Sequence, residues 1–192
     1  MKSPVVEWLY WFFWFLTAMV TGVLSGYMVS HSIMFGQFFN WYIASDNLDL
    51  LRQTYTAFRA GSDAYKIYDI PLLLGLIFGT AFVVLAFVVK RHRVISVLAG
   101  LATWWVSTIF IGLGVGEAED AVLTSTADDA TVQYFHAVNI PVHSTFAAIY
   151  LCSLALLLAI APRAAAAPIG GRRLYRSTIS RTSTRFERTR ST

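Results

Sequence analysis

Apolar and polar positions fall in long blocks along this chain rather than alternating. Four apolar runs cover residues 8–35, 71–89, 94–115 and 135–161. Each approaches the roughly 20 residues that a helix needs to cross a hydrocarbon core about 30 Å thick. They predict an all-α integral membrane protein, a four-transmembrane-helix bundle occupying residues 1–161. Between the first two runs, residues 40–70 are too polar to cross, yet Leu48, Leu51, Tyr55 and Phe58 recur at helical spacing. This predicts a short outer amphipathic helix, with Asp46 as its N-cap and Gly61 as its stop, lying over the mouth of the bundle or on the lipid surface. Residues 162–192 change abruptly to Arg, Ser, Thr and Ala and read as a disordered basic tail.

Composition agrees with a lipid environment. Hydrophobic residues make up 56% and charged residues only 14% of the sequence, which leaves too little polar surface for an ordinary soluble domain. The first run is too long and too aromatic for a signal peptide and reads as a retained span. Cys152, the only cysteine, falls within the fourth run, which excludes an intrachain disulfide, a cysteine-ligated cluster and CxxC thiol exchange.

Charge sets the expected orientation. Lys90, Arg91, His92 and Arg93 join the second and third runs, and arginines including Arg172, Arg173 and Arg176 fill the tail. By contrast, the segment between the third and fourth runs holds Glu117, Glu119, Asp120, Asp128 and Asp129 with no lysine or arginine. Positive residues beside spans stay cytoplasmic, so both termini are expected on that side of a plasma or inner membrane. The tail is expected to contact anionic lipid head groups. An acidic partner subunit is the competing contact, and specific nucleic-acid binding is not expected.

Small residues predict how the spans pack. Gly22 and Gly26, with Ala18 and Ser30, recur every four residues on the first run, and Gly75 and Gly79 do so on the second. These faces are expected to meet. The aromatic start of the first run, including Trp8, Tyr10, Phe12 and Phe15, reads as an interfacial belt, or as a docking surface for another membrane subunit or a second copy.

Ionisable residues within hydrocarbon are expensive and point to function. His31 lies toward the outer end of the first run, and His136 and His143 lie in the outer part of the fourth. His136, Asn139, His143 and Tyr150 share one helical face, with Pro141 expected to bend the backbone between the histidines. Tyr27, Asp69 and Glu117 are the expected supporting groups. Such a set suits a metal ion, a b-type haem or a small redox-active ligand. Three alternatives remain open: the histidines transfer protons or bind a substrate, they are purely structural, or the chain is a non-catalytic accessory subunit of a larger complex.

The small-residue first run, the polar amphipathic segment, the Pro-led second run and a last run opening as YFHAVNIPVH carry a resemblance. In this order of elements the chain resembles a four-helix membrane family of unknown function that includes anthrone-oxygenase-like proteins. The resemblance implies an oxygenase acting on a polycyclic aromatic substrate, with His136, Asn139 and His143 supplying the polar groups of its site.

Overall fold

The computed structural model describes residues 3–62 and 64–161; Arg172, Arg173 and Arg176 lie outside the described residues. The described chain is helical, in the order α1 (Pro4–Ser30), a π-helical turn (His31–Phe35), α2 (Gly36–Ala44), α3 (Leu48–Ser62), α4 (Ala64–Val89), α5 (Arg93–Gly100), α6 (Ala102–Gly112), α7 (Val115–Thr124) and α8 (Asp129–Ala159). Three stretches are long and apolar enough to cross a membrane: Pro4–Ala44, Lys66–Val89 and Asp129–Ala159. The pair Arg93–Gly100 and Ala102–Gly112, bent by 42°, makes a fourth if it is counted as one span.

These limits correct the sequence reading at several points. The first apolar run does not stop at Phe35, because the helix continues through the π turn to Ala44. Asp46 does not cap the following helix. It adopts the left-handed conformation (φ 56°), and the bonds from Asp46 N–H to the Ile43 carbonyl and from Asn47 N–H to the Tyr42 carbonyl form a Schellman end to α2. Gly61 lies inside α3 rather than ending it, and α4 starts ahead of Pro71, which is interior to the helix. The third run is broken at Leu101, and the acidic segment after it is itself helical, as α7. At the start of α8, Asp128 accepts from the Thr131 N–H at 2.8 Å, an N-cap that sets the fourth run's beginning several residues before Phe135.

Helix α1 runs antiparallel to α4 and α8. The beginning of α1, the ends of α4 and α8, and Ala99 of α5 share one apolar cluster, with Tyr10, Phe82, Ala86 and Leu157 as its other members. Glu7 and Arg91 bridge at 2.7 Å at this basic end. At the opposite end Phe39, Leu51, Val122 and Phe135 close a second cluster beneath α3 and α7.

The glycine faces do not meet as expected. Gly26 is exposed, with nothing within 4 Å of an added Cβ, and Gly22 looks toward Leu154 of α8. Of the expected stripe only Ala18 is buried, and it lies in a stripe of α1 otherwise made of Thr17, Thr21, Leu24 and Ser25. On α4, a Cβ at Gly79 would overlap the Gly100 carbonyl and one at Gly75 would crowd Thr103. Gly79 therefore admits the bent α5–α6 pair, while a Cβ at Gly75 would face both Thr103 of that pair and, at 3.4 Å, Leu24 of α1. Tyr10 likewise leaves the aromatic belt for the core, fully buried against Phe82 with ring centroids 5.3 Å apart. Trp8, Phe12 and Phe15 remain exposed.

Candidate functional site

The polar centre lies where α1, the π turn and α2 pass α8. Regular α-helix turns about 100° per residue, so positions nine apart, such as 31 and 40, stand about half a turn out of phase. The π turn at His31–Phe35 takes up one extra residue, and the separation falls to about 80°. His31 and Asn40 can then both address α8. Gly36 completes the approach, since a Cβ there would press on Ile140 and on the His31 carbonyl at 3.1 and 3.2 Å.

The hydrogen bonds of this centre form a chain with one permitted direction. It begins at the His136 carbonyl, which can only accept, so the Asn40 atom 3.0 Å away is the Nδ2 donor. Asn40 Oδ1 then accepts from Asn139 Nδ2 at 3.5 Å, and Asn139 Oδ1, 3.4 Å from His31 Nε2, accepts from the ring N–H. His143 Nδ1 donates to the Asn139 carbonyl at 2.8 Å. With both rings neutral, the lone pairs left over are those of His31 Nδ1 and His143 Nε2.

The two imidazoles stack face to face, with centroids 3.6 Å apart and planes inclined by 18°. Phe35 and Phe39 border His31, and Phe146 stands edge-on to His143 at 5.9 Å. His143 and Asn139 are buried, while His31 and His136 are partly so.

The remaining expected residues lie elsewhere. His136 contributes its backbone carbonyl, and its ring joins neither of the other two among the described residues. Tyr27 packs on Tyr68 at 5.1 Å. Tyr150 is buried with Leu24, Met28 and Phe146, and its hydroxyl neighbours Thr103 without a well-formed hydrogen bond among the described residues. Asp69 is exposed on α4. Glu117 borders a surface depression of about 500 Å³ shared with Asp128, Thr131 and Tyr134. Neither acid contacts the imidazoles.

This geometry limits the cofactors that fit. No third His, Cys, Asp or Glu among the described residues joins the pair to make a metal-binding group. The rings touch face to face, so no gap between them admits a haem macrocycle held by an imidazole on each side.

A second polar group lies under α3. Glu119 is deeply surrounded by protein, and burial raises its carboxyl above the ordinary range, with Arg59 drawing it part of the way back. Burial also raises Tyr55, and the nearby Glu119 charge adds to the effect.

Asn40 and Gly36 escaped the sequence reading because a uniform helical period places Asn40 on the opposite face from His31. A signal was present in the segment from His31 to Asn40, which stays apolar enough to continue the helix past the expected span end. No family model, curated protein or solved structure matches the chain.

Proposed function

We propose that this chain is an integral membrane protein of four passes, with the α5–α6 pair as one bent span and both termini on the cytoplasmic side. The Lys90–Arg93 turn, on the same end as Glu7 and the close of α8, supports that orientation. At the opposite end, the His31–His143 pair is the functional centre and binds a planar aromatic ligand that carries a hydroxyl group, of phenol or hydroquinone type. The observation that carries this reading is the stacked pair with its fixed hydrogen-bond direction. It presents two imidazole lone pairs as acceptors beside aromatic walls, the combination that a flat O–H donor uses. The partly exposed His31 beside apolar helix surface favours an apolar ligand drawn from the bilayer.

The test is binding of 1-naphthol and of naphthalene to the purified chain in detergent. Naphthol is expected to bind about tenfold more tightly, as one net hydrogen bond implies. His143→Phe keeps a ring in the stack and removes one of the two lone pairs, so it should reduce that difference. Equal binding of the two probes by the wild type would refute the assignment, as would an unchanged preference in His143→Phe.

An accessory-subunit role is the second reading. Trp8 and Phe12, stacked at 5.2 Å on the outside of α1, favour it by offering a flat aromatic edge to another transmembrane helix.

A further inference from the structure

The turn between α4 and α5 has more shape than a determinant of topology requires. Lys90 and His92 both adopt left-handed backbone conformations, with φ of 57° and 45°. Non-glycine residues seldom hold this conformation, and it is found where surrounding structure imposes it. A depression of about 450 Å³ results, lined by Lys90, His92, Arg93, Val94 and Ile95. His92 stands at the N-cap of α5 without a side-chain cap bond, so the first N–H groups of the helix lack that partner. Arg91 is already bridged to Glu7, whereas Lys90 and Arg93 have no acidic partner among the described residues. The Arg93 guanidinium is held over the Phe87 ring at 5.5 Å. Phe87, Val88, Val94 and Leu98 beside the depression are exposed and apolar.

We infer that the α4–α5 turn seats the phosphate of an anionic phospholipid, with Lys90 and Arg93 as its cationic contacts and Phe87, Val94 and Leu98 along the acyl chains. The inference rests on the membrane reading above, since a soluble anion would have no use for the apolar border. It is independent of the tail arginines, which lie outside the described residues. A loop that only fixed orientation would need charge without concavity, and would leave the apolar rim without an occupant. Each cation near the surface is worth about 1 kcal/mol toward anionic lipid, so two give roughly a 20- to 30-fold preference over a zwitterionic lipid.

The experiment uses the full chain in nanodiscs containing photoactivatable phosphatidylglycerol or phosphatidylcholine, with cross-links mapped by peptide mass spectrometry. Cross-linking to residues 87–98 should favour phosphatidylglycerol by about tenfold or more. The exposed segment around Trp41, at the opposite end, should show no such preference and serves as the reference for folding and insertion. Lys90→Gln with Arg93→Gln, both exposed positions, should reduce the preference to near unity with the tail unchanged. Equal labelling by the two lipids, or a preference that survives the double substitution, would overturn the inference. Loss of the preference on adding inorganic phosphate, but not chloride at equal ionic strength, would assign the seat to free phosphate and overturn the lipid assignment. Failure of the spans to insert would instead appear as absent labelling at Trp41 and would count against the membrane reading.

Discussion

At the basic end of the bundle, Tyr10, Phe82, Ala86, Ala99 and Leu157 make an apolar core in which two buried hydroxyls, Tyr10 OH and Ser96 Oγ, neighbour each other without a well-formed hydrogen bond to any group among the described residues. At the histidine end, the buried polar atoms of Asn139 and His143 are joined into one chain that runs through Asn40 and His31. Both ends thus bury polar groups, but only one organises them. Side chains whose neighbours leave them unpaired contribute packing and little else. A network whose donors and acceptors can be ordered in a single way specifies a geometry, and geometry is what a binding site needs.

The most severe challenge to this contrast is to disturb both ends together. Gly79→Leu would drive a side chain into the Gly100 backbone between them and should cost about 3 kcal/mol or more, seen as a large loss of thermal stability in detergent. Gly26→Leu, with open space around it, should be close to neutral. Similar losses at the two positions would mean that the helices pack through another face.

A smaller effect separates the ends. Asn139→Ala strands the His31 N–H and the Asn40 Oδ1, at about 1 to 3 kcal/mol for each buried group left unpaired. Tyr10→Phe removes a hydroxyl that neighbours Ser96 without a well-formed hydrogen bond among the described residues, and should change stability less than Asn139→Ala does. Thermal scans that ranked Tyr10→Phe as the more damaging change would reverse the assignment of which end is organised.

The smallest effect depends on pH. Burial raises the Glu119 carboxyl, so the folded chain holds that proton more tightly than the unfolded chain does. Stability from this group is therefore full in acid, below the unfolded carboxyl range, and falls as pH rises toward the raised folded value. Glu119→Gln should raise the melting temperature slightly at neutral pH, and the gain should vanish on acidification. A gain that persisted unchanged in acid would show that the carboxyl is not perturbed by its surroundings.

The long apolar runs were legible because their message is repeated over many residues. Single-residue signals were less secure. Asp46 has the chemistry of an N-cap, but the same short polar side chain tolerates the left-handed conformation, and the chain uses it to end α2. Gly22 and Gly26 have the spacing of a packing motif, yet the buried stripe of α1 is offset from them toward Thr17, Thr21 and Ser25. Small spacing alone does not say which side of a helix faces protein. His31 and His143 were legible as histidines set within long apolar runs, whereas Asn40 depended on a change of helical period that composition does not encode.

The wide turn at His31–Phe35 also separates two quantities that a uniform helix ties together, its length and its phase. One residue can pass into or out of such a turn while the chain on both sides stays helical, and each passage rotates the helix beyond it by about 100°. Residues 36–44 therefore owe their phase to this one turn: a regular α-helix over residues 31–35 would carry Asn40 away from α8 and uncouple the amide chain while leaving the basic end as it is.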